Sequence, residues 1–186
     1  FHQRGRFESV SVEDHATMVD VNLRAPIMLT RLALPYLRDG EGGAIINVGS
    51  LAGWQPLADQ VSYSATKAGL RFFTYALFEE LRGTNIKTAL VSPGPLDTGF
   101  IMDNLDTVAD LTMSQPISTA EEVAQAILDL CGNRQIEIAM PVVSAMLSRF
   151  FRVFPWLKRW LLPLFEAKGA RVKRRLRAER EAGDSQ

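Results

Sequence analysis

Apolar positions along the chain follow two rhythms. From Ser11 to Leu37 they recur at Met18, Val21, Ala25, Met28, Leu29, Leu32 and Leu37, the spacing of one helix face. Ser11 is placed to cap that helix, with Glu13 and Asp14 in its first turn. Pro26 and Pro35 leave a kink or an early end open, and Gly40, Gly42 and Gly43 stop it. Ala44 to Val48 is short, apolar and rich in β-branched residues, as expected of a strand buried in a parallel sheet. After a loop from Gly49 to Asp59, a second helix is predicted over about Gln60 to Arg82, ended by Gly83. Ile86 to Val91 reads as the next strand, closed by Ser92-Pro93-Gly94-Pro95. Loop or short helix follows from Asp97 to Ile117. Ser118 or Thr119, with Glu121 or Glu122 three residues on, forms a capping box for a helix reaching about Leu130. Ile136 to Met140 makes a third strand.

Helix and strand thus alternate, which implies an α/β fold with a parallel sheet and helices on its faces. Three strands make a thin sheet, since doubly wound domains usually have five or more, and no Gly-rich phosphate loop follows a strand. The expected architecture is the C-terminal portion of a Rossmann-like doubly wound parallel sheet. A C-terminal amphipathic helical extension completes it. There Met146, Leu147, Phe150, Phe151, Phe154, Leu157, Trp160, Leu161, Leu164 and Phe165 recur at three- and four-residue spacing. Arg149, Arg152, Lys158 and Arg159 interrupt them, and Pro155 and Pro163 are expected to divide the stretch into short helices.

Charge sharpens this division. The 186 residues are 47% hydrophobic with zero formal net charge, enough for one core and without an overall nucleic-acid signal. Residues 149–186 nevertheless carry eleven Lys/Arg and four Asp/Glu, against ten and seventeen in residues 1–148. The chain reads as an acidic α/β body, 1–148, with a basic tail, 149–186. Cys131 is the only cysteine, so an internal disulfide is excluded and a reducing, cytoplasmic compartment is expected. His2, His15 and Cys131 are scattered and make no metal-ligand cluster. The opening residues lack the apolar core of a signal peptide, and no uncharged apolar run approaches the ~20 residues of a membrane span.

Candidate chemistry concentrates around one helix. Tyr63 and Lys67 lie four residues apart, hence on one face, and Ser50 lies thirteen residues upstream, just past a strand. A phenol, an ammonium and a hydroxyl are the parts needed to move a proton on and off a carbonyl oxygen. A free Tyr titrates near ~10, too high for acid–base work at neutral pH. A cation about 4 Å away, at an effective dielectric of about 20, favours the phenolate by about 4 kcal/mol. At about 1.4 kcal/mol per unit, that lowers the pKa by roughly three units. Lys67 is therefore expected to bring Tyr63 into working range. The bland alternative is an exposed helix face, with Ser50 capping local backbone.

Four motifs in order decide between these readings. Asn22 in Asp20-Val-Asn-Leu23, Ser50 in Ile45-Ile-Asn-Val-Gly-Ser-Leu-Ala-Gly53, Tyr63-Ser-Ala-Thr-Lys67, and Pro93-Gly94-Pro-Leu-Asp-Thr98 together resemble the classical short-chain dehydrogenase/reductase family over roughly residues 5–142. The resemblance implies NAD or NADP as cofactor and Ser50, Tyr63, Lys67 and Asn22 as catalytic residues. Tyr63 would be the proton donor in ketone reduction. Lys67 would lower its pKa and hold the nicotinamide ribose, Ser50 would stabilise charge on the substrate oxygen, and Asn22 would hold a helix kink and a proton-relay water. Tyr63, Lys67, Pro93, Gly94 and Thr98 are the implied cofactor contacts. The family's Gly-rich turn and its Asn-Ala-Gly motif are absent, and the chain begins about where the latter would end, so a member lacking its N-terminal part is expected. Gly49 stands where the family often has a first serine.

The expected function is NAD(P)-dependent interconversion of an alcohol and a ketone or aldehyde on a hydrophobic substrate of lipid, steroid or retinoid type. By the resemblance, Gly99–Ser114 lies where the family places its variable substrate loop, and its apolar Phe100, Ile101, Met102, Leu105, Val108, Leu111 and Met113 suggest that substrate class; packing a lid onto the body is their other reading. A non-catalytic remnant or interaction module is the alternative. The helices 11–37 and 60–82 resemble those that pair subunits in this family, which implies a homo-oligomer, a dimer or tetramer. The aromatic and basic tail suits a membrane surface; packing on a missing half or a second subunit, or a solvated helix, are the other readings, and nucleic acid is not expected.

Overall fold

The computed structural model describes residues 1–97 and 108–183. Helix α1, Val12–Val19, begins where expected, with the Ser11 hydroxyl accepting from the Asp14 N–H at 3.0 Å. The continuous helix expected to follow is modified. Residues Asp20–Arg24 form a π-helical turn before α2, Ala25–Asp39. Pro26 has no N–H to offer the Asn22 carbonyl four residues back, and such insertions relieve that mismatch. Pro35 is accommodated inside α2.

Strand β1, Gly43–Val48, pairs parallel with β2, Ile86–Pro93, in the register Gly43 to Ile86 through Val48 to Val91. Strand β3, Glu137–Met140, pairs parallel with β2 from Leu90–Glu137 to Pro93–Met140. β2 is central in this three-stranded sheet, with Ala89, Leu90 and Val91 fully buried. Side chains alternate across a strand, and the helices divide accordingly. Ala89 and Val91 pack against Val123, Ala126 and Leu130 of α5, Ala120–Gly132, on one face. On the other, Asn47 donates to Thr74 of α3, Val61–Glu80, at 2.9 Å, and Leu77 packs on Ile86. Thr119 and Glu122 form the predicted capping box of α5.

The short helix α4, Asp110–Met113, is the docking point for the tail. Helix α6, Val142–Val153, is followed by α7, Pro155–Gly183, which runs through Pro163 for 29 residues. The predicted break at Pro163 is thus corrected. Pro155 starts α7, a position that tolerates proline, whereas Pro163 sacrifices one intrahelical bond in a helix held by tertiary contacts further along. Gly169 lies so close to α4 that a Cβ there would sit 1.7 Å from the Asp110 carbonyl oxygen. One turn on, Lys173 pairs with Asp110 at 2.9 Å, and Val172 and Leu176 cover Val108 and Met113. Val108 and Met113 therefore pack the body onto the tail. Among the described residues, no helix is long and apolar enough to cross a membrane.

Candidate active site

The carboxyl ends of β1 and β2 deliver Ser50 and Gly94 to one cleft of about 550 Å³, with Tyr63 facing it from the first turn of α3. Ser50 caps the 3-10 turn Leu51–Gly53, its Oγ accepting from the Ala52 N–H at 3.1 Å. The same residue lines the cleft together with Tyr63, and its hydroxyl favours the ionised phenol, so local capping and site chemistry coexist in one side chain. Gly53 makes this geometry possible: a Cβ there would lie 2.7 Å from the Lys67 carbonyl oxygen, so the turn rests directly on the backbone of α3.

Lys67 departs from expectation. Its Nζ donates to the Val48 carbonyl at 2.9 Å and lies 5.7 Å from the centre of the Tyr63 ring. Burial pushes the Tyr63 phenol above its ordinary value, opposed by the Ser50 hydrogen bond and by the charge of Arg4. Burial also holds the Lys67 ammonium below its ordinary value. The expected lowering of the phenol by an adjacent ammonium is therefore corrected: desolvation outweighs the nearby charges, and the charge acting on the phenol is that of Arg4.

His2 stacks on Tyr63, with ring centres 4.0 Å and planes 24° apart. Burial first, then Arg4, the amino terminus and Lys67, lower its imidazole to about 3, so the ring against the phenol is neutral at physiological pH. Asn22 is buried in the π-helical turn, where its Oδ1 accepts from the Phe1 amino group at 2.8 Å and its Nδ2 donates to the Phe1 carbonyl at 2.6 Å. Pro93 ends β2 opposite Met140, and the Gly94 N–H donates to the Met140 carbonyl at 2.7 Å. A Cβ on Gly94 would meet Leu51 and Pro141 at 3.3 Å, so glycine lets the chain lie close between them. Thr98, with Phe100, Ile101, Met102 and Leu105, lies outside the described residues.

Sequence reasoning missed a polar cluster beneath the site. The Glu137 carboxylate accepts from Trp54 Nε1 at 2.8 Å, the Tyr75 hydroxyl at 2.7 Å, Arg71 Nε at 2.9 Å and the Ser92 hydroxyl at 2.5 Å. The Arg71 guanidinium stacks between the rings of Trp54 and Tyr75, 4.7 Å from each. This cluster ties β3 to α3 and to the turn carrying Ser50. A Cβ on Gly49 would meet Ser92 Oγ at 3.0 Å, which accounts for glycine where the family often has serine. His2 and Arg4 were also missed; neither sits in a periodic stretch that would single it out.

Sequence comparison identifies the family. The short chain dehydrogenase family profile matches residues 1–109, and the chain belongs to that family. A ketoacyl reductase, HetN, from Nostoc sp. is 36% identical over 135 residues, covering 72% of this chain and 46% of the relative. An NADP-dependent 3-hydroxy acid dehydrogenase, YdfG, from Shigella flexneri is 37% identical over 123 residues, covering 63% and 49%. The chain thus spans about half the length of the curated relatives it matches. A short chain dehydrogenase from Burkholderia cenocepacia J2315, solved in complex with NADP, superposes with a TM-score of 0.72 at 23% identity, covering 87% of this chain and 67% of that one. The likeness confirms the α/β fold.

Proposed function

We propose that this chain carries the proton-handling side of an NAD(P)-dependent oxidoreductase that interconverts a hydrophobic alcohol and its ketone or aldehyde. The observation that carries this reading is that Ser50, Tyr63 and Gly94 line one cleft. The names of the Nostoc and Shigella relatives, a reductase and a dehydrogenase, support it. A phenol held above its ordinary pKa is protonated at neutral pH, so Tyr63 is set to give its proton to a carbonyl oxygen in the reductive direction. Ser50 donates to the same oxygen as charge develops there. Asn22 holds the π-helical turn.

The residues present fit the nicotinamide end of the cofactor. Gly94 leaves a close-lying backbone that a side chain would obstruct, and Lys67 spends one of its three donors on Val48, keeping others for a ribose hydroxyl. Tyr63, Lys67, Pro93, Gly94 and Thr98 would hold the group, and the bound nicotinamide would supply or accept hydride. Fluorescence titration with NADH and NADPH tests the reading. Binding supports it, and no binding by this chain or by one extended upstream favours a non-catalytic remnant or interaction module.

Two further surfaces bear on partners. Met28, Leu29, Leu32 and Tyr36 of α2 and Phe72 of α3 are exposed, which supports a homo-oligomer formed through these helices. Val153, Phe154, Trp156, Trp160 and Leu164 are exposed beside the basic residues of the tail, which supports peripheral membrane contact. Co-sedimentation with anionic vesicles, with Trp156→Ser/Trp160→Ser as control, tests the latter; equal recovery of variant and wild type refutes it.

A further inference from the structure

A second cavity, of about 630 Å³, opens beside the cleft between α4, α6 and α7, and shares Gln55 and Gln115 with it. Leu147 and Phe151 of α6 and Leu162 and Phe165 of α7 give it apolar walls. Phe151 and Phe165 meet edge to face, with centroids 5.9 Å apart. The walls are fixed, because α7 is seated on α4 through Gly169 and the Lys173–Asp110 pair.

Three polar atoms of residues that line this chamber are buried without a hydrogen-bond partner among the described residues: Gln55 Oε1, Gln115 Oε1 and Ser144 Oγ. Buried polar atoms are ordinarily paired, and three orphans around one apolar space point to a group that enters it. Two of them are amide oxygens, which accept only. The Gln55 amide nitrogen is already committed to Ser148 Oγ at 3.2 Å. The missing partner is therefore a donor. A carboxylate would place negative charge against the amide oxygens, whereas a hydroxyl can donate to one of them and accept from the Ser144 hydroxyl.

We infer that this chamber binds the aliphatic arm of the substrate and selects an arm bearing a hydroxyl group. The inference rests on the oxidoreductase reading, since the carbonyl end must lie at Ser50 and Tyr63. It makes the basic tail a wall of the substrate site. A site built to bond a substrate hydroxyl discriminates against the analogue lacking it, because its own polar atoms are then left unpaired.

The test compares methyl hexyl ketone with its ω-hydroxy and ω-carboxy derivatives. Calorimetry with the whole protein measures binding, and kcat/KM relative to diacetyl measures use. The ω-hydroxy ketone is expected to bind about tenfold more tightly than the unsubstituted ketone. Ser144→Ala with Gln115→Leu should remove that preference. Leu147→Trp, which fills the chamber, should weaken both ligands and lower the long-to-short kcat/KM ratio by about tenfold. Equal affinity for hydroxy and plain ketones, tighter binding of the carboxylate through Lys168 at the rim, or no effect of Leu147→Trp each overturns the inference. Hydroxyl-selective binding without turnover of any ketone supports the chamber while refuting the oxidoreductase reading.

Discussion

Gly53→Ala isolates the contact that sets Ser50 against Tyr63. Gly53 does not occupy positive φ, so alanine introduces no backbone strain; its effect is steric. The new Cβ would lie 2.7 Å from the Lys67 carbonyl oxygen and 2.8 Å from its carbon, where ordinary contact begins at 3.4 Å. The turn must therefore retreat from α3 by about 0.7 Å. Both contacts are backbone atoms of a helix, so neither can swing aside. Overpacking of this kind costs about 1–3 kcal/mol, partly offset by about 0.4–1 kcal/mol from the lower entropy of the unfolded chain. A net loss of about 1 kcal/mol is expected in urea denaturation. Turnover should suffer more. The displaced turn carries the Ser50 hydroxyl, and a misplacement near 1 Å costs about 10²-fold. A kcat/KM lower by about ten- to a hundredfold, with cofactor affinity nearly unchanged, is the expected result in steady-state assays. Wild-type stability and turnover together would refute the packing argument.

Other perturbations probe separate features. Gly169→Ala should destabilise by about 1–3 kcal/mol, despite alanine's helix preference of about 1 kcal/mol, because its Cβ would lie 1.7 Å from the Asp110 carbonyl oxygen; faster proteolysis of the tail would report it. Glu137→Gln leaves Arg71, only 15% exposed, without its counter-charge, and a loss of about 3–5 kcal/mol is expected in urea denaturation. His2, lowered to about 3 by burial and then by neighbouring positive charges, makes the unfolded chain the better proton acceptor below its ordinary value near 6.5. Its contribution is intact above pH ~6.5 and is lost as pH falls towards ~3. His2→Phe keeps the ring on Tyr63 and should flatten the melting temperature across that window.

The parts legible in the sequence are those fixed by short-range pattern. The apolar runs of β1 and β2, the Ser11 cap and the Thr119–Glu122 box each involve neighbours within a few residues. The cluster of Ser50, Tyr63 and Gly94 was legible too, because a sheet delivers successive strand ends to one edge. What escaped depends on tertiary contact. Glu137 reaches partners 45 to 83 residues away, and a lone acid in a short strand gives no sign of them. Pro163 signals a helix break locally, but α7 is held by Gly169 against Asp110. The Lys67 argument failed for a related reason. Helical spacing placed it on the face of Tyr63 but could not foresee that Val48 would take its ammonium, or that burial would dominate the phenol.

Tyr63→Phe tests the central claim most directly. Phenylalanine keeps the ring against His2 and removes only the hydroxyl. In the whole protein, carbonyl reduction with NADH or NADPH should fall by about 10²–10⁴-fold, the range ascribed to a positioned proton donor, while thermal stability holds. Reduction at a rate near wild type would contradict the account.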